Sequence, residues 1–136
     1  MKMIYRTKAS ADGGRAGKVV NEEAGLALDL SPPGGAAKGN NPEQLFAMGY
    51  AACFDSALKL SAKLAKADMK GSRTTVDVGL GQEEGGGYAL DVEISVTVRG
   101  LPEAEARRLV AQAHEVCPYS KALRGNVAVR LNVNVE

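Results

Sequence analysis

Tyr88-Ala89-Leu90-Asp91-Val92-Glu93-Ile94-Ser95-Val96-Thr97-Val98 carries an apolar residue at every second position from Leu90 to Val98, with a polar residue between each pair. Successive side chains of an extended strand point to opposite faces, so this pattern predicts a strand with one face buried. Just upstream, Thr75-Val76-Asp77-Val78-Gly79-Leu80 alternates in the same way, and Gly85-Gly86-Gly87 lies between the two segments. Together they predict an antiparallel hairpin. Val127, Val129, Leu131, Val133 and Val135 repeat the alternation at the C-terminal end. Residues 2–9, 16–21 and 25–30 read as shorter strands separated by Gly-rich turns.

Two helical segments interrupt these strands. The first opens at Asn41-Pro42-Glu43-Gln44. Asn41 can cap, Pro42 suits the first helical position, and Gln44 can reach back to the cap residue. The segment continues through Leu45, Phe46, Met48, Ala51, Ala52, Phe54, Ala57, Leu58 and Leu64, with a stop expected near Gly71. Its middle, Phe46 to Ala57, is apolar almost all round and must be covered on several sides. The second helix is expected from Pro102, with Ala106, Leu109, Val110, Ala113 and Val116 on one face, and must end before Pro118, which cannot continue the hydrogen bonding. Cys117 therefore stands at a helix end. Ser31–Ala37 reads as a loop inside one domain spanning residues 1–136. The order of elements defines an α+β fold, an antiparallel sheet packed with a long central helix and a second helix.

Composition narrows the function. The net charge is +1 and the basic residues are interspersed with acidic ones, so no electrostatic footprint for nucleic acid or an anionic membrane is present. Aromatic residues make up 4% of the chain and Trp is absent, which argues against stacking of bases. No stretch approaches the ~20 apolar residues of a spanning helix, and the expected location is the cytoplasm. Thiols there stay reduced, which argues against a permanent structural disulfide between the two cysteines, Cys53 and Cys117.

Each candidate for chemistry has more than one reading on the residues alone. Cys53, between Ala52 and Phe54, is either a small core side chain or a reactive thiol; burial alone raises a thiol's pKa, so reactivity demands a nearby cation. Arg15, in the turn Asp12-Gly13-Gly14-Arg15-Ala16-Gly17, is one source of that cation, or a solvated turn residue. Glu43 sits in the first turn of the long helix, where the helix dipole favours a carboxylate, and it can equally clamp a guanidinium in bidentate fashion. Ten residues separate it from Cys53, about 15 Å of helical rise. His114 lies three residues before Cys117. A Cys–His nucleophile pair, a zinc site or a histidine on a solvated face are the open readings there, and no third or fourth ligand stands at metal spacing.

Asn41-Pro42-Glu43-Gln44-Leu45-Phe46-Ala47-Met48-Gly49-Tyr50-Ala51-Ala52-Cys53-Phe54 closely resembles the reactive-cysteine signature of the organic hydroperoxide resistance proteins, within the superfamily of the osmotically inducible protein C. Val116-Cys117-Pro118-Tyr119-Ser120, followed by Arg124-Gly125-Asn126-Val127, resembles the second signature of the same branch. The resemblance implies a thiol peroxidase in which Cys53 attacks the peroxide, Cys117 resolves the sulfenic acid as a disulfide, Arg15 activates the thiolate and Glu43 orients Arg15. It further implies an intertwined homodimer without metal or organic cofactor, and a dithiol reductant of the lipoyl type. Leu45, Phe46, Met48, Phe54 and Tyr119 are expected to line an apolar substrate pocket. Lys121-Ala122-Leu123 departs from the Asn-Ala-Thr more usual in this branch and is similar to the sister branch, a group of general peroxidases. A redox sensor and a small-ligand binding module are the alternatives from other classes.

Overall fold

The computed structural model describes residues 1–35 and 39–136, and the chain divides into two compact units, Met1–Leu45 and Phe46–Glu136. In the first unit β1 (Ser10–Asp12), β2 (Lys18–Asn21) and β3 (Leu26–Asp29) form an antiparallel sheet in that order. The strand expected over residues 16–21 starts only at Lys18, because Gly17 is taken up by the preceding turn, a single 3-10 turn over Gly14–Ala16. The strand expected over residues 2–9 does not form. Those residues are exposed; Tyr5 and Thr7 instead donate their hydroxyls to the Glu23 carboxylate at 2.9 and 2.8 Å. Of the loop expected over Ser31–Ala37, Ala36 and Ala37 lie outside the described residues.

The long helix, α1 (Pro42–Leu64), begins as its capping residues require. The Asn41 Oδ1 accepts from the Gln44 N–H and the Gln44 Oε1 accepts from the Asn41 N–H, each at 2.9 Å, a reciprocal pair that satisfies two otherwise unpaired donors. The helix ends at Leu64 rather than near Gly71. Lys66 takes a left-handed conformation (φ 53°), its N–H bonding to the Lys63 carbonyl and the Ala67 N–H to the Ala62 carbonyl. This double reversal is a Schellman stop, usually made with glycine and here made with lysine.

In the second unit β4 (Gly71–Gln82) and β5 (Tyr88–Arg99) form the expected antiparallel hairpin, twelve residues a strand, closed by a turn with Gly86 at φ 88°. Val92, Ile94, Val96 and Val98 of β5 are all fully buried, so the alternation is realised residue by residue. Next come α2 (Glu103–Val116) and a short helix not foreseen in the sequence, α3 (Pro118–Leu123). They carry the chain back across the sheet, so β6 (Val129–Val135) pairs with β5 in parallel, not antiparallel as expected. The core joins Tyr50, Phe54 and Leu58 of α1 and Ala106, Leu109, Val110 and Ala113 of α2 to the buried face of β5. Val116, expected on that face, is exposed. Among the described residues no helix is long and apolar enough to cross a membrane.

The left-handed residue at the end of α1 gives a stability prediction. An L-residue there costs about 1–2 kcal/mol that glycine does not pay, offset in part by glycine's greater unfolded-state freedom. Lys66→Gly should therefore stabilise the protein by about 0.5–1 kcal/mol in chemical denaturation, and a destabilised variant would contradict the strain assigned to this position.

Candidate active site

The Pro118 ring cannot supply the N–H that would extend α2, so the helix turns at Cys117, which is at once the last cap of α2 and the first cap of α3. Its backbone is held from both sides: its N–H bonds to the Ala113 carbonyl at 2.8 Å, and its carbonyl accepts from the Lys121 N–H at 2.9 Å. The side chain is fully buried. From there its thiol donates to the Cys53 Sγ, with the sulfur atoms 3.5 Å apart and both cysteines free.

Cys53 is half-buried on the face of α1 turned to this break. Gly49, one turn earlier, lies under the Tyr119 side chain. A Cβ there would stand 2.9 Å from the Tyr119 hydroxyl and 3.4 Å from its ring, so only glycine lets Tyr119 lie on the helix beside Cys53 without displacement. Two residues past Cys53, the Asp55 carboxylate accepts from the Ser72 hydroxyl at 2.6 Å and the Thr74 hydroxyl at 3.1 Å, tying α1 to β4. Burial pushes the Cys53 thiol up from its ordinary pKa, the more so with the Cys117 thiol beside it, while a backbone hydrogen bond from Tyr119 pulls it partly back.

The expected apolar lining is distributed unevenly. Phe46, Tyr50 and Tyr119 form a ring cluster with centroids 5.7–6.1 Å apart. Met48 is 57% exposed and Tyr119 39% exposed. Phe54 is not on an open surface at all: at position i+4 from Tyr50 it faces the sheet and is fully buried in the core. Leu45 belongs to the first unit and is half-buried.

The first unit holds the other two candidates together. Arg15 donates from both terminal nitrogens to both oxygens of Glu43, at 2.7 and 2.5 Å, a fork-on-fork pair. Three glycines shape the turn that presents it; Gly13 and Gly14 have positive φ, and a Cβ on Gly17 would overlap the carbonyl oxygen of Asp12. The bonds from Arg15 hold the Glu43 carboxyl below its ordinary pKa, and the same bonds raise that of the guanidinium.

His114 is not on a solvated face. Its Nδ1 lies 2.9 Å from the Ser120 Oγ, whose other partner, at 2.7 Å, is the fully buried Tyr50 hydroxyl. Nothing local in the sequence announces this chain, since its bonds join positions 6 and 70 residues apart. Among the described residues no group of three or more His, Cys, Asp or Glu side chains is placed to hold a metal ion.

The chain matches the family model described as OsmC-like protein over residues 35–132. It is 44% identical to the organic hydroperoxide resistance protein of Xanthomonas axonopodis pv. citri, across 97% of this chain and 96% of the relative. The same identity holds to the organic hydroperoxide resistance protein OhrA of Bacillus subtilis, across 96% of each. Among solved structures, the organic hydroperoxide resistance protein of Elizabethkingia anophelis superposes with a TM-score of 0.94 at 45% identity, covering 100% of both chains.

The Arg15–Glu43 pair can be tested by titration. A carboxyl whose folded pKa lies below its unfolded value contributes stability that is fully present above the ordinary glutamate pKa and is lost as pH falls through the depressed value. Carbon-13 NMR of the Glu43 carboxyl should give a midpoint below that of a free glutamate, and Arg15→Ala should return it upward. An unchanged midpoint in the variant would mean that the pair does not persist in solution.

Proposed function

This chain belongs to the OsmC-like protein family, and from that premise we propose that it is a cysteine-based peroxidase that reduces organic hydroperoxides to alcohols. The observation that carries this reading is the pair of free thiols 3.5 Å apart at a helix break, in a chain 44% identical to proteins named for organic hydroperoxide resistance. Two sulfur atoms at that separation need only about 1.5 Å of approach to reach bonding distance.

The reaction proceeds in three balanced steps. The Cys53 thiolate attacks one peroxide oxygen, the O–O bond breaks, and the alkoxide takes a proton and leaves as the alcohol, with Cys53 now a sulfenic acid. The Cys117 sulfur then attacks the Cys53 sulfur, the S–O bond breaks, and hydroxide leaves with the proton from Cys117 as water. An external dithiol of the lipoyl class resets the disulfide by exchange. Because burial opposes the Cys53 thiolate, a cation is required, and Arg15 is the residue to supply it, with Glu43 fixing the direction of its guanidinium. No metal or organic cofactor enters these steps, and the reaction belongs to the cytoplasm, where dithiol reductants are held reduced.

The working unit is a homodimer. Met48, Leu60 and Leu64 of α1 are exposed, Leu60 and Leu64 one turn apart on one face, and Met3, Ile4 and Tyr5 stand exposed near the N-terminus. Apolar surface of that extent on one chain marks an interface, and a second copy would bring carbon surface toward the thiol as well.

Two outcomes follow. In single-turnover oxidation Cys53→Ser should consume no peroxide, Cys117→Ser should react once and stall as sulfenic acid, and Arg15→Ala should slow the first step about tenfold or more at neutral pH, one pKa unit being a factor of ten. Equal loss of the first turnover in both cysteine variants would overturn the assignment of roles. Second, each buried methylene of substrate contributes ~0.8 kcal/mol, so the apolar surface of half-buried Phe46 and exposed Met48 and Tyr119 should favour cumene hydroperoxide over hydrogen peroxide by at least tenfold in the rate of Cys53 oxidation. Equal rates would transfer the protein to the general peroxidases of the sister branch.

A further inference from the structure

The mechanism above makes no use of a buried chain of polar side chains that runs from the helix of one thiol to both sides of the other. Tyr50 lies on α1 three residues before Cys53, and its hydroxyl meets the Ser120 Oγ at 2.7 Å. Ser120 lies on α3 three residues after Cys117, and its Oγ meets the His114 Nδ1 at 2.9 Å. His114 lies in the last turn of α2, three residues before Cys117. The His114–Ser120 bond thus spans the break, and the Tyr50–Ser120 bond pins the spanned segment to α1. Tyr50, Ser120 and Cys117 are all essentially inaccessible to water. Arg124 secures the same corner by donating to the His114 carbonyl at 2.9 Å and pairing with Glu115 at 3.5 Å.

We infer that Tyr50, Ser120 and His114 are positioning residues for the second, disulfide-forming step, holding the Cys117 break against α1 so that its sulfur can reach the oxidised Cys53, and that this hold is released when His114 takes up a proton. The inference rests on the disulfide mechanism proposed above. With the proton of the neutral imidazole on Nε2, Nδ1 is an acceptor; in that tautomer Ser120 donates to His114 and Tyr50 donates to Ser120, and each buried hydroxyl proton has one place to go. A protonated His114 would donate from Nδ1. Ser120 would then turn its hydrogen toward Tyr50, and the Tyr50 proton would lose its buried acceptor, a costly state that the segment can relieve only by moving.

The surroundings favour the neutral form. The titratable and charged groups about the imidazole are Tyr50 and Cys53 from α1, Glu115 beside it on α2, Cys117 at the break and Arg124 at the end of α3. Burial and the Arg124 charge hold the His114 pKa below the ordinary histidine value, with Glu115 opposing weakly. Phe54, its ring 6.4 Å from the imidazole, supplies part of that apolar setting.

The test is quenched-flow mass spectrometry of the reduced protein after a pulse of alkyl hydroperoxide, following sulfenic acid formation and disulfide formation separately between about pH 4 and 8. A single protonation can slow the second step by no more than tenfold per pH unit; in the wild type the slope should exceed that limit where protonation of His114 adds to it. His114→Asn, whose amide oxygen can replace Nδ1 as an uncharged acceptor, should keep the neutral-pH rate and lose the extra steepness. His114→Leu and Tyr50→Phe should slow disulfide formation roughly ten- to a hundredfold at neutral pH, with sulfenic acid still forming at the wild-type rate. Disulfide formation at the wild-type rate in both of these variants, or a wild-type profile no steeper than that of His114→Asn, would overturn the inference while leaving the peroxidase reading intact. A wild-type protein that forms sulfenic acid and never the Cys53–Cys117 disulfide would overturn both.

Discussion

A proline after a cysteine sets the geometry on which the second unit depends. Pro118 has no N–H to give, so α2 stops at Cys117 and a new short helix begins at once. A cysteine inside a continuous helix would project from one fixed face of it. At the break its backbone is extended (φ −62°, ψ 123°), and the side chain points into the packing against α1, where the other thiol waits. Beside it Gly49 of α1 leaves room for the end of the Tyr119 side chain.

Proximity and reactivity are in tension at this site. The same packing that brings the sulfurs together withdraws Cys53 from water and disfavours its thiolate. A permanently ionised nucleophile would also be open to over-oxidation whenever its partner thiol was displaced. The Arg15–Glu43 pair holds a charge that always exists in one fixed direction, through two parallel bonds to the carboxylate. The first unit is organised around this pair, with three glycines spent on a turn that carries one long side chain.

Much of this was legible in the chain, and the exceptions have physical causes. The alternation in Val92–Val98 specified a half-buried strand because burial at every second residue has no other regular solution. The capping residues Asn41 and Gln44 fixed the start of α1 to the residue. Alternation is silent on direction, however, so the parallel pairing of β6 became visible only once α2 and α3 supplied a crossover. Residues 2–9 read as a short strand, yet a strand exists only with a partner, and those residues pair with none in the structure. The stop of α1 was misplaced because Lys66, not a glycine, takes the left-handed position. Cys53, Cys117, Arg15 and Glu43 were singled out in the sequence, and the structure brings them together as two pairs, thiol with thiol and guanidinium with carboxylate. The Tyr50–Ser120–His114 chain was invisible, since nothing local in any of the three residues announces the other two.

On the proposed mechanism the two thiols of one chain form a working redox pair. The most direct measurement is intact-mass analysis and peptide mapping of the reduced wild-type protein after one equivalent of an alkyl hydroperoxide. The chain should lose two hydrogens and yield a crosslink between the Cys53 and Cys117 peptides of a single chain, reversed by a dithiol. A protein that accumulates Cys53 sulfinic acid with Cys117 still free, or that joins its cysteines only between two chains, would contradict it.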